Sequence, residues 1–193
     1  MTDDEPDMET LIKHTDYENL DIITANLTLL NANREVEMDV TRTHHDRIKA
    51  ALNIVRDQYD FALIDCPPDL NIGVVNALCA SNDVLIPVEI DDNTTEGMEE
   101  LWQQINKIQR RLNPDLKIVK CFISKFQKYN EAHKQGIEAV RKFYPTMKTV
   151  IRTSPIVAKS TFVKEPVVKY SPRAAASVAV SYTHLRAHET GRN

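Results

Sequence analysis

Asp65 ends an apolar run, Phe61-Ala-Leu-Ile, and is followed at once by Cys66-Pro67-Pro68. Four apolar residues that deliver one carboxylate to a strand tip offer a hard cation an oxygen ligand on a rigid mount. Magnesium suits that arrangement, because it keeps several waters and bridges phosphates instead of sitting in an all-protein cage. The pattern has a plainer use as well. Many α/β strands end in Asp to cap the following turn, and spacing alone favours that plainer role.

The remaining reactive side chains form no metal or thiol motif. Cys66, Cys79 and Cys121 are odd in number and lack C-x-x-C spacing, so they read as reduced thiols and not as a disulfide framework; Cys66 and Cys79, with no glycines beside them, read as buried structural thiols and not as cluster ligands. His44 and His45 are adjacent and would point apart on a helix, which reads as two solvent-facing rings. From Lys120 to Arg173 basic residues recur with few acids between them, and Arg141, Lys142, Lys169 and Arg173 are among them. Such a run either tracks nucleic-acid phosphates as a stripe or is a solvated face. The four glycines, Gly73, Gly97, Gly136 and Gly191, are all far apart. A loop that cradles phosphate needs clustered glycines whose amides converge on the anion, so these 193 residues contain no such loop.

The elements that must position Asp65 follow from periodicity. Short strands are expected at 20–24, 59–65, 83–88, 116–123 and 148–151, the second of them stopped by Pro67-Pro68. Helices are expected near 27–38, behind Thr43 or Asp46 as cap, and at 74–80, 96–111 and 131–144. The clearest is 96–111, with Met98, Leu101, Trp102, Ile105 and Ile108 on one core-facing stripe. Alternation at these lengths predicts an α/β domain, a mostly parallel sheet with helices on both faces. In such sheets ligands collect at the carboxyl ends of the strands, which points to Asp65 and to 87–92, 124–128 and 152–154.

Hydrophobic residues make up 42% of the chain and charged residues 27%, which fits a folded domain and excludes a disordered one. The net charge of −4 gives no global pull toward nucleic acid, so any contact there must be local. The acidic start, 2–9, reads as a solvated loop. The last stretch, Val180-Ser-Tyr-Thr-His-Leu-Arg-Ala-His-Glu-Thr190, matches one reading frame of a transposase sequencing adapter. The expected organisation is therefore one partial domain over 1–179 and an adapter-derived tail over 180–193.

Tyr59-Asp-Phe-Ala-Leu-Ile-Asp-Cys-Pro-Pro68, then Asn76-Ala-Leu78, Asp83-Val-Leu-Ile-Pro-Val88 and Glu96-Gly97, resembles the ParA/Soj/MinD branch of deviant Walker A ATPases. The resemblance continues upstream through Glu18–Asn26 and downstream through Val167-Val-Lys-Tyr-Ser-Pro-Arg173, covering about 18–179. It implies a P-loop NTPase-like fold that binds ATP and Mg²⁺, dimerises on ATP and binds duplex DNA without sequence preference. It further implies slow hydrolysis stimulated by a ParB-like centromere-binding partner, in a cytoplasmic, nucleoid-associated cycle of chromosome or plasmid segregation.

On that resemblance Asp65 holds Mg²⁺ through water, and Cys66, Pro67, Pro68 and Asn71 belong to the switch that senses the γ-phosphate. Arg152, Thr153 and Ser154 lie where the family approaches adenine, although they replace its Pro-Arg-Asn. Arg141, Lys142, Lys169 and Arg173 are the DNA-binding candidates. Asn71 stands where the family often has Gly, and Asn tolerates the left-handed conformation next best. The lysine-bearing glycine loop and its strand belong upstream of residue 1, so the stretch alone is expected to be inactive. Two alternatives remain: a non-catalytic α/β interaction module, and a MinD-type membrane-associated ATPase.

Overall fold

The computed structural model describes residues 6–39, 44–91 and 94–189. The elements run α1 (Met8–Leu11), β1 (Lys13–His14), β2 (Asp21–Ile22), α2 (Thr28–Met38), α3 (Arg47–Ile54), α4 (Ile72–Ala80), β3 (Asp83–Glu89), α5 (Thr94–Arg111), β4 (Lys117–Phe126), α6 (Glu131–Phe143), β5 (Thr146–Arg152), α7 (Pro155–Phe162), α8 (Val167–Tyr170) and α9 (Ala175–Glu189). They form two compact units, one from residues up to 82 with 105–116, the other from 83–104 with 117 onward.

In the first unit β1 and β2 pair as a small antiparallel hairpin, and α2 and α3 both pack on α4. Helix α4 is apolar almost throughout and buries Val74, Ala77, Leu78 and Cys79. Its carbonyl end is closed by Asn113, whose Nδ2 donates to the carbonyls of Leu78 at 2.9 Å and Ser81 at 2.8 Å. An amide side chain there satisfies acceptors that a helix end otherwise leaves without partners.

The second unit is built on a parallel sheet in the order β3-β4-β5, with helices around it. Buried Ile86 and Val88 alternate with more exposed neighbours on β3, while Cys121 and Ile123 of β4 are fully buried. Burial of one such aliphatic side chain stabilises by roughly 1.5–3 kcal/mol. Trp102 of α5 and Tyr144 after α6 meet with ring centroids 5.1 Å apart. Helix α6 approaches the chain beyond β3 so closely that a Cβ on Gly136 would stand 2.4 Å from Cγ2 of Ile90. Gly136→Ala should therefore lower stability by about 1–2 kcal/mol in urea unfolding. The overpacking penalty exceeds the roughly 1 kcal/mol that alanine gains in a helix. An unchanged midpoint would contradict the contact.

Most expected elements form within a few residues of their expected bounds, and α7, α8 and α9 add three helices that periodicity did not reveal. Helix α9 continues into the stretch from Val180 that the sequence set apart. The clear departure is 59–65, expected as a strand. It belongs to no sheet, and Phe61 and Leu63 are 66% and 84% exposed. Apolar content gives a segment the capacity for burial. A strand also needs a neighbour to take its N–H and C=O groups, and no described strand lies beside this one.

Candidate functional site

Parallel pairing brings the carboxyl ends of β3, β4 and β5 to one edge. Glu89 is opposite Ser124, and Phe126 is opposite Arg152. Near its end β4 bulges: the β4–β5 register shifts between Ile123 and Phe126, and Lys125 takes φ 50°. A non-glycine residue in that left-handed region costs on the order of 1–2 kcal/mol, and local bonds hold it there. Thr153 Oγ1 donates to the Lys125 carbonyl at 2.8 Å, and Thr153 N–H donates to the Phe126 carbonyl at 3.1 Å. Lys125 Nζ also reaches Glu89 Oε2 at 2.6 Å. Both side chains of that pair are well exposed, so it orients more than it stabilises.

Beyond this edge lies a cavity of about 840 Å³, lined by Phe126, Lys128, Tyr129, Asn130, Arg152 and Thr153 among others. That volume is within the usual range for a small-molecule site. The loop that walls it is fixed from below. Asn130 caps α6 by accepting from Ala132 N–H at 3.0 Å and His133 N–H at 3.4 Å. Buried His133 accepts from Gln127 N–H through Nδ1 at 3.4 Å and packs its ring 6.1 Å from that of Phe126. Because Nδ1 accepts there, its proton sits on Nε2.

Two of the three residues expected near a base, Arg152 and Thr153, do line this cavity. The Ser154 hydroxyl instead caps α7, accepting from Ile156 N–H at 3.3 Å ahead of Pro155. Sequence reasoning reached this edge through the carboxyl-end rule but did not single out Tyr129 or Asn130. The available signal was Asn130-Glu131, a cap followed by an acidic first turn.

Asp65 lies on the segment 59–65, exposed, with Cys66, Pro67 and Pro68 exposed after it. The Cys66 thiol was expected to be buried, and instead it reaches solvent because the segment has no sheet neighbours. Surrounding protein still pushes its pKa up, and the adjacent Asp65 charge adds to that. Asn71 does not use the left-handed conformation considered for it. At φ −71° it is the N-cap of α4, accepting from Val74 N–H at 3.1 Å and donating to Asp69 Oδ1 at 2.6 Å. The start of the segment is tied down by Tyr59, whose hydroxyl donates to Asp21 Oδ2 at 2.6 Å, while His14 Nδ1 meets Asp21 Oδ1 at 2.8 Å. Those two bonds, Tyr59 first, hold the Asp21 carboxyl below its usual range.

The loop ends on α4, and α4 is placed by Asn76. Its side chain is fully buried. Its Oδ1 accepts from the amides of Arg47 at 3.0 Å and Ile48 at 3.4 Å, and its Nδ2 donates to the Ile72 carbonyl at 3.0 Å and to the His44 carbonyl. Asn76 thus caps α3 from another helix. Asp46, one of the two caps expected, precedes α3 but makes no side-chain cap bond; the other, Thr43, lies outside the described residues. His44 and His45 are half-buried instead of solvent-facing, and His44 Nε2–H donates to the Asp39 carbonyl. Among the described residues no three His, Cys, Asp or Glu side chains cluster as metal ligands. A single exposed carboxylate fits Mg²⁺ held chiefly by water and phosphate, and does not fit a metal caged by protein.

The four basic candidates are exposed on the second unit. Arg141 is partly committed, since its Nη2 donates to the Lys148 carbonyl at 3.0 Å and the Met147 carbonyl at 3.4 Å. Lys142 Nζ lies 5.5 Å from the centre of the Phe143 ring. Lys169 is on α8 and Arg173 follows it. Among the described residues no helix is long and apolar enough to cross a membrane.

A mostly parallel sheet surrounded by helices, with an acid after an apolar segment and a cavity at the strand ends, defines a P-loop NTPase-like α/β protein. Solved structures agree on the fold. Cobyrinic acid a,c-diamide synthase from Mycobacterium smegmatis superposes with TM-score 0.76 over 95% of this chain and 69% of its own, at 22% identity, and was also solved with ADP and magnesium. A plasmid partition protein from Borrelia burgdorferi, bound to AMPPNP, gives TM-score 0.69 over 86% of this chain and 66% of its own, at 26% identity. The family model described as an AAA domain, AAA_31, matches residues 1–118. The sporulation initiation inhibitor protein Soj of Bacillus subtilis is 35% identical over 172 residues, 88% of this chain and 67% of Soj. The chain belongs to the ParA/Soj-type P-loop ATPase family. It spans between about two fifths and two thirds of the length of the curated relatives it matches.

Proposed function

We propose that these residues form the magnesium-side and base-side portion of an ATPase that partitions a chromosome or plasmid. The observation that carries this reading is the 35% identity with Soj over 88% of the chain, which takes in both the Asp65 segment and the basic second half. When bound, Mg²⁺-ATP supplies the phosphoryl group and the charge that neutralises it. Asp65 would hold magnesium through one of the metal's waters, accepting a hydrogen bond from it. Cys66, Pro67, Pro68 and Asn71 form the switch whose position reports the γ-phosphate, with the Asn71 cap fixing where the switch ends. Arg152 and Thr153 bound the site of the base, and Ser154 contributes by holding α7 behind them.

The partners follow from the same reading. They are a second copy on ATP binding, duplex DNA of any sequence, and a ParB-like protein that stimulates hydrolysis, in the cytoplasm on the nucleoid. DNA phosphates are met by Lys142, Lys169 and Arg173, with Arg141 at the margin because its guanidinium already serves two carbonyls. Replacing Lys142, Lys169 and Arg173 by Glu in the protein from the full reading frame should weaken binding to unrelated duplexes alike. The slope of log K against log salt should fall by about 2–3. Arg141 is left intact so that lost packing is not mistaken for lost charge. An unchanged slope would sink the phosphate stripe.

A further inference from the structure

We infer that Tyr129 is the stacking wall for the nucleotide base in the cavity at the ends of β4 and β5, a role resting on the base-site reading above. Tyr129 is 88% exposed, the most exposed tyrosine among those named as exposed, and it forms part of the lining of this open cleft. A large ring left in water gains nothing for the fold. Its ring has no aromatic neighbour among the described residues.

The loop beneath is not loose. The Asn130 cap, the Asn130 N–H bond to the Gln127 carbonyl at 3.1 Å and the His133–Gln127 contact fix the backbone on both sides of Tyr129. Lys128 Nζ lies 5.5 Å from the ring centroid, close enough for a cation–π attraction that restrains the ring from one side. The other face is left for a planar ligand. A cation on one face also withdraws density from the ring, which favours stacking of an electron-rich purine on the other. Arg152 and Thr153 then close the cavity opposite the loop. Arg152 supplies a cation that suits the ribose–phosphate end of the ligand, while Tyr129 takes the base.

The test uses the protein from the full reading frame, freed of nucleotide, and adenosine, which carries the base without the phosphates and so reports on the base site alone. Affinity is read by titration calorimetry or ligand-observed NMR for the natural chain, Tyr129→Phe and Tyr129→Leu. Tyr129→Phe keeps the ring and should match the natural chain. Tyr129→Leu keeps apolar bulk without the ring and should bind roughly 5- to 100-fold more weakly, as expected for one base–aromatic stack. All three should unfold at the same temperature, because the side chain is exposed. Equal affinity of the natural chain and Tyr129→Leu overturns the role of Tyr129 while leaving the cavity as the base site. No adenosine binding by the natural chain overturns the base-site reading, and this inference with it.

Discussion

Asp65→Ala in the protein from the full reading frame is expected to reduce Mg²⁺-dependent ATP turnover by roughly a hundredfold or more, the scale seen when one fixed electrostatic partner of a transition state is removed. The Asp65 carboxylate is exposed on a segment outside any sheet, and among the described residues no hydrogen bond ties it into the fold, so it contributes little to stability. On the proposed reading its value is its negative charge for magnesium, whose neutralisation of phosphate oxygens carries most of the catalysis in phosphoryl transfer. Urea unfolding of the variant should match the parent. Asp65→Asn, which keeps the shape and removes the charge, should be as inactive as the alanine variant. Normal turnover in either one would remove Asp65 from the site.

The second large effect concerns stability. Asn76→Ala should cost about 3–5 kcal/mol, because it removes all four hydrogen bonds of a fully buried side chain, two from part-buried amides and two to carbonyls. That is a large share of a domain's usual 5–15 kcal/mol. Asn76→Asp should be no better. A carboxylate still accepts from Arg47 and Ile48, but it cannot donate to the carbonyls of Ile72 and His44. The measurement is the free energy of urea unfolding. A loss below about 1 kcal/mol would mean that water replaces the amide and that α3 and α4 do not depend on it.

Both residues show where the sequence was informative and where it was not. Helix α5 was legible because Met98 and Ile105 repeat at helical spacing and do end up buried. The strands β3, β4 and β5 were legible as apolar runs between turn residues, and the carboxyl-end rule located the edge beside the cavity. Asn76 was visible only as part of a resemblance. Its role as a cap joins residues 28–32 positions apart, which no local pattern encodes. The segment 59–65 misled for a related reason. Its apolar run describes a strand waiting for neighbours, and pairing is a property of those neighbours. Cys66 followed that segment into solvent. Tyr129 was not found because the placement of its ring depends on the bulge at Lys125, which Thr153 holds from 28 positions away.

Nucleotide chemistry at Asp65 needs a lysine-bearing glycine loop, and the 193 residues contain no clustered glycines. The direct measurement is the DNA sequence immediately upstream of the Met1 codon in the source genome. An open frame running into Lys-Gly-Gly-x-Gly-Lys-Thr on an apolar strand is the predicted result. An in-frame stop just before Met1 would contradict it and leave an α/β interaction module in place of a partition ATPase.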